Sequence, residues 1–330
     1  MKNFLTLILA GALAFVSCKN TETLLPNVSG KAGEVIVVMD RENWEGALGN
    51  STRALLADEC PFLVQREPLF NLVNVAPTGF ADLFKIHRNI VIFNINPQND
   101  TTGLVHKRNV WANTQVVLQV NAYDSEGAMK LLDENGKVIV NAIEQAERDR
   151  IIGNNLKFEE KGIAPKVAEV FGGSLHFPSG YKIRKVSSDF MWIADEKQYV
   201  YQDVLIYRYP AEKDHPFTSD NIIRHRNEAL QANVPGMFEN TYMTTSDITM
   251  PGLEYIRYRG RDFAEVRGYW EVHNDFMGGP FVSHSFYSPD GKDIITIEGF
   301  VYAPKYDKRH YLRQVEAILY SFEWKDSGKE

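Results

Sequence analysis

Cysteine is nearly absent: the 330 residues hold only Cys18 and Cys60. At most one disulfide can form, so a cystine framework is excluded and stability has to come from a buried core. Positive charge is also in deficit, with 36 Lys and Arg against 43 Asp and Glu and a formal net charge of −7. That balance argues against a nucleic-acid partner, which calls for a basic face that displaces counterions from phosphate. No apolar run reaches the roughly 20 residues of a membrane-spanning helix; Phe4 to Val16 falls short of it. Gly-x-Ser-x-Gly, His-Glu-x-x-His, the phosphate loop and the dinucleotide fingerprint are all missing. Ser179-Gly180-Tyr181-Lys182 matches Ser-x-x-Lys, but it follows Pro178 in a turn and no Lys-Thr-Gly triplet accompanies it. It is read as a chance match.

What is present begins with Lys2, an apolar run broken only by Thr6 and Gly11, small Ser17 and then Cys18. A basic start, a short apolar segment and a small-residue cleavage site form an export signal, residues 1–17. Phe15-Val16-Ser17-Cys18 resembles the bacterial lipobox, with Phe15 where leucine is usual. The resemblance implies cleavage before Cys18 and its acylation, which makes the lipid bilayer a partner through the acyl chains. Cys60 then has no intrachain partner. Lys19 directly after the cysteine resembles lipoproteins passed on to the outer membrane, so the expected address is the outer membrane, facing the periplasm. Removing the signal takes away Lys2 and no acid, which shifts the charge from −7 to −8 and leaves 313 residues. That length exceeds the usual single core and predicts two domains.

Residues 18–32 read as a tether. An α/β domain is expected over 33–162, opening with the strand Val35-Ile36-Val37-Val38 and a helix capped by Asp40, weakened at Gly46 and Gly49. Asn71 to Val75, Asn89 to Ile95 and one or two runs within 110–122 are further strands, and Pro97 to Thr102 is a turn. Asp124-Ser125 caps a long helix that Asn135-Gly136 interrupts. Gly162, Pro165 and Gly172-Gly173 mark a boundary near 160–173. A second domain over 173–326 carries strands at 190–193 and 200–209, a helix at 222–233 and four alternating runs at 255–259, 264–272, 281–287 and 294–302. Asp290-Gly291 turns the last hairpin. Asp307 caps a closing helix whose Tyr311, Val315, Ile318, Leu319 and Phe322 form one stripe. The fold class is α+β, two sandwich-like domains, each a mainly antiparallel sheet packed by helices, the second a β-meander closed by the C-terminal helix.

Gly33 to Val38, Glu67-Pro68-Leu69-Phe70, His87-Arg88-Asn89-Ile90 and Met277-Gly278-Gly279-Pro280-Phe281 together resemble a Bacteroidota envelope-lipoprotein family defined by a domain of unknown function. The resemblance implies the envelope address and carries no activity. The second half, from Phe177-Pro178-Ser179-Gly180-Tyr181 to Leu319-Tyr320-Ser321-Phe322, is similar in pattern to the PsbP and Mog1 type of α/β/α sandwich.

For chemistry, the densest stretch is Arg267 to Pro280. On a strand Arg267, Tyr269, Glu271 and His273 share one face, with Gly268, Trp270 and Val272 on the other. Arg267, Trp270, Glu271, His273, Asp275, Gly278 and Gly279 are the candidate binding residues: charge, an apolar platform and glycines that permit close backbone approach. The competing reading is a solvated sheet face followed by a turn. His273, Asp275 and His284 are a weak metal set, Glu271 and Asp275 a possible carboxylate pair for glycoside cleavage, and no metal or cofactor is expected. Asp189, Asp203, Arg224 and Arg226 read as solvated faces. Cys60 reads as a small apolar residue. The expected function is a non-catalytic lipoprotein that binds a small ligand or an envelope protein, or serves envelope assembly. The alternative is an envelope hydrolase or metal-dependent enzyme using 267–280.

Overall fold

The computed structural model describes residues 24–325; the signal and Cys18 lie outside them. The first half runs β1 (Glu34–Val38), α1 (Arg41–Glu45), α2 (Ala47–Leu56), β2 (Asn71–Val75), α3 (Asp82–Lys85), β3 (Asn89–Ile95), β4 (Gly103–Arg108), β5 (Val116–Ala122) and α4 (Ser125–Lys157). Asp40 caps α1, its Oδ1 accepting the Asn43 N–H at 2.9 Å, and Gly46 splits the expected single helix into two.

The sheet order is β2-β1-β3-β5-β4. β1 pairs in parallel with β2 and β3, β3 in parallel with β5, and only β4 runs antiparallel. A mainly antiparallel first sheet is therefore corrected, while the α+β class of the whole stands. The cause is visible in Val35 to Val38, all four of which are buried. Val35 and Val37 pack with Leu132, Ile139 and Ile143 of α4, and Ile36 and Val38 pack with Phe80, Phe84 and Trp111. Strands covered on both faces lose the alternation that one solvated face imposes.

The expected break in α4 is absent. Gly136 lies under α2, where a Cβ would fall 2.8 Å from Leu55 Cδ1. The glycine admits a close helix crossing, and 33 residues of helix outweigh its weak propensity.

The second half runs α5 (Ile163–Phe171), β6 (Gly173–Ser174), β7 (Lys182–Val186), β8 (Phe190–Lys197), β9 (Val200–Pro210), α6 (Ser219–Asn233), β10 (Met243–Thr245), β11 (Gly252–Tyr258), β12 (Arg261–Val272), β13 (Gly278–Tyr287), β14 (Asp293–Tyr302), α7 (Arg309–Tyr320) and β15 (Glu323–Trp324). Segment 160–173, expected as a Gly- and Pro-marked boundary, is largely helix. Pro165 sits in the first turn, where its missing N–H leaves no bond unmade, and Gly172 ends α5 at φ +77°.

The second sheet is an antiparallel eight-stranded meander, β10-β12-β13-β14-β9-β8-β7, with β11 on β12. Asp290-Gly291 does turn the last hairpin, with Gly291 at φ +70°. α7 covers one face through Val315, Ile318 and Leu319, close enough that a Cβ on Gly299 would meet Val315 at 2.9 Å. α6 covers part of the other face through Ile222 and Leu230. Asp307 does not cap α7. The buried Glu67 carboxylate of the first half accepts the N–H groups of Lys308 at 2.6 Å and Arg309 at 3.0 Å, satisfying orphan donors at the helix start.

Candidate functional site

Because α6 ends at Asn233 before the following Pro235, the sheet face beyond it is left open. Residues 234–237, β8 and the β12–β13 turn wall off a cavity of about 450 Å³. Trp192, Tyr201, Trp270, Phe300, Met243 and Met277 supply large apolar side chains to its lining. From Trp270 to Tyr201 the aromatic rings are in contact, bridged by Tyr302. Trp270 meets Phe300 at 5.3 Å and Tyr302 at 6.3 Å between ring centroids, and Tyr302 meets Tyr201 at 5.3 Å. At the mouth Met237 is 79% exposed, and Arg184 lies 4.5 Å over the Trp192 ring while pairing with Glu196.

One charged residue of this wall has no solvent exposure: Asp203, on β9, at 0%. Its Oδ2 accepts the Trp192 indole N–H at 2.8 Å. Its Oδ1 has no hydrogen-bond partner. Burial pushes the carboxyl up to about 7, the Trp192 N–H opposing that only in part and Glu196 adding to it. A buried polar atom without a partner is costly and therefore uncommon.

The other buried carboxylates of this half are fully engaged. Glu298 takes the Arg226 guanidinium at 2.7 and 2.9 Å. Glu265 accepts from Arg267 at 2.7 Å and Tyr320 at 3.1 Å and pairs with His284 at 3.0 Å. Against the burial that would raise it, Arg267 and His284 hold Glu265 well below the usual carboxylate range. Glu316 receives Arg148 at 3.2 Å and Arg267 at 2.8 Å, and Arg148 stacks 3.6 Å over Tyr320. This second network joins α4 to α7 and β12 beside a cavity of about 440 Å³. Its charges answer one another, so it reads as a fastening between the halves.

The strand alternation over 267–272 is as expected, and it divides the candidate residues. Arg267 points into the Glu265–Glu316 network. Trp270 faces the opposite way, is buried, lines the 450 Å³ cavity and donates its N–H to Val301 O at 3.2 Å. Gly279 makes that packing possible, since a Cβ there would fall 2.1 Å from Val301 O and 3.1 Å from the indole nitrogen. Gly278 similarly abuts the Trp270 carbonyl. Glu271 and Asp275 border a neighbouring hollow with Phe276, which Trp270, Gly278 and Gly279 line as well. Exposed His273 stacks on Tyr242 at 4.9 Å. His284 is buried against Glu265, away from His273 and Asp275 in its bonding. Among the described residues no group of three His, Cys, Asp or Glu gathers as a metal site. Cys60 is half-buried, and burial pushes its thiol up to about 11, which disfavours the nucleophilic thiolate.

Asp203 and Arg226 are corrected from solvated to fully buried, both at 0% exposure. A signal for Asp203 existed. On β9, Tyr201, Asp203, Leu205, Tyr207 and Tyr209 share one face by period two, and a lone acid inside such an apolar stripe is unusual.

Residues 160–321 match the family model of a domain of unknown function, DUF4837, and residues 28–156 match that of a second, DUF8532. No curated protein matches the chain. Among solved structures, a mutant of the protein Mog1 is 10% identical, spanning 47% of this chain and 92% of that one at a TM-score of 0.31. The Ran-binding protein Mog1p of Saccharomyces cerevisiae is 10% identical over 46% of this chain and 90% of its own, at 0.30. A protein from Bacteroides thetaiotaomicron is 9% identical over 48% and 47%, at 0.27.

Proposed function

We propose that this chain is a non-catalytic lipoprotein of the bacterial envelope, held at the outer membrane by acylated Cys18 and facing the periplasm, which binds a small ligand in the cavity between Trp192 and Trp270. The observation that carries the binding reading is the unpartnered Oδ1 of fully buried Asp203 in an aromatic cavity of about 450 Å³. Ligand sites are concave, mostly apolar and fitted with a few placed polar groups, and this cavity has that composition and size. Exposed Met237 and Phe238 beside the mouth offer an apolar approach.

The binding is tested by thermal denaturation of the full chain with a library of amphipathic small molecules, run in parallel on Trp192→Ala. Compounds that raise the midpoint of the wild type are expected to lose that effect in the variant, since binding to the folded state alone stabilises it. A library that stabilises neither protein, or both equally, removes the cavity from the argument. The anchor rests on Lys2 to Cys18 of the sequence. Cells grown with radiolabelled palmitate are expected to label the wild type and not Cys18→Ala; label retained in the variant refutes lipidation at that residue.

A further inference from the structure

Resting on the binding reading, we infer that the ligand carries a positively charged nitrogen on an apolar body, and that this nitrogen docks at Asp203 among the aromatic walls of the cavity. The inference starts from a comparison within one face of one sheet. Arg226 of α6 reaches over that face, pairs with buried Glu298 at 2.7 Å and lies 3.8 Å over the Phe281 ring. A guanidinium between a carboxylate and an aromatic face is how the protein compensates a buried acid there.

Asp203 repeats this arrangement without its cation. Across the β9–β14 ladder it stands opposite Phe300, Phe300 packs on Trp270, and Trp192 bonds the second carboxylate oxygen. The carboxylate and the rings are in place, and Oδ1 is without a partner. Arg184 does not fill the role, because it pairs with Glu196 at the mouth. An anionic ligand is disfavoured by Asp203 and Glu196 together, and a metal ion would find no imidazole in the wall and a second carboxylate, Glu196, already paired with Arg184. An ammonium or guanidinium meets both features: it donates to Oδ1, and the ring faces attract its charge.

The test is isothermal titration of the full chain with phenethylammonium, the neutral phenethyl alcohol and the anionic hydrocinnamate, above neutral pH. The ammonium is expected to bind about tenfold or more tightly than the alcohol, from a charge-assisted hydrogen bond plus cation–π attraction. Hydrocinnamate is expected to bind more weakly than either. Asp203→Asn keeps the side-chain shape and removes the charge, so the preference for the ammonium over the alcohol should collapse to within about threefold. Equal affinities for ammonium and alcohol in the wild type would overturn the cation assignment and leave an apolar binding site standing. Preference for hydrocinnamate would overturn it too. No heat with any of the three, together with a library that stabilises neither wild type nor Trp192→Ala, would overturn the binding reading itself. The wild-type comparison needs no variant to fold.

Discussion

Arg226→Met is expected to destabilise the chain by about 3–5 kcal/mol, the usual loss when one partner of a buried ion pair is removed and the other stays behind. Arg226 and Glu298 both have no solvent exposure. The guanidinium makes a bidentate pair with Glu298 and a further bond to Thr245 Oγ1 at 2.8 Å. Methionine fills much of the arginine volume, so packing against Phe281 is largely kept and the loss isolates the charge. What remains is a buried carboxylate whose nearest other donor is the Tyr207 hydroxyl at 3.5 Å. The double variant Arg226→Met/Glu298→Met should recover most of the stability, because apolar replacement of both partners is often close to neutral. Urea denaturation of the four proteins of this cycle separates the pairwise contribution. A single-variant loss under about 1 kcal/mol, or no recovery in the double, would show that Glu298 finds other compensation.

That prediction depends on α6 lying across the meander, and much of that half is readable from sequence. Alternation is clearest on β12, where burial switches residue by residue from Arg267 to Val272, while β13 and β14 are buried along nearly their whole length. The stripe Val315, Ile318, Leu319 announces the helix that covers one face. The first half resisted for a definite reason. Val35 to Val38 was legible as a buried strand, but burial on both faces says nothing about strand direction, which here follows from helical crossovers. α5 was hidden because Gly162, Pro165 and Gly172 are punctuation that also suits a short helix, with proline in its first turn and glycine after its last. Glu67 as the cap of α7 could not be read, since it acts across 241 residues of chain and Asp307 offered a nearer candidate.

The site divides in the same way. Local composition around Arg267 to Pro280 pointed to Trp270, which does line the cavity, and to Arg267, which the strand period turns to the opposite face and into an ion network. Asp203, Trp192 and Tyr201 come from other strands, and only the ladder running from β8 through β9, β14 and β13 to β12 brings them beside Trp270. A motif search follows the chain, whereas this cavity is built across it.

Asp203→Asn should stabilise the chain by up to about 4 kcal/mol above neutral pH and leave it nearly unchanged near pH 4. The group's folded value is raised to about 7 against an unfolded carboxylate near about 4. Between those values the folded chain holds a proton that the unfolded chain has released, so stability is full below the lower value and falls as pH rises through the upper one. About 3 units at roughly 1.4 kcal/mol each gives the magnitude. The charges that face Asp203 are Glu196 and Asp195, which raise it, and Arg184, which lowers it; Tyr181 feels it in turn. The amide does not titrate, and its oxygen can still accept the Trp192 N–H. Thermal midpoints of both proteins across the acid-to-alkaline range should therefore start together and diverge with rising pH. Parallel curves would mean that the folded carboxyl ionises normally and carries no uncompensated charge. Divergence that closes when phenethylammonium is added would tie the lost stability to the ligand: the cation holds Asp203 ionised and restores stability to the wild type.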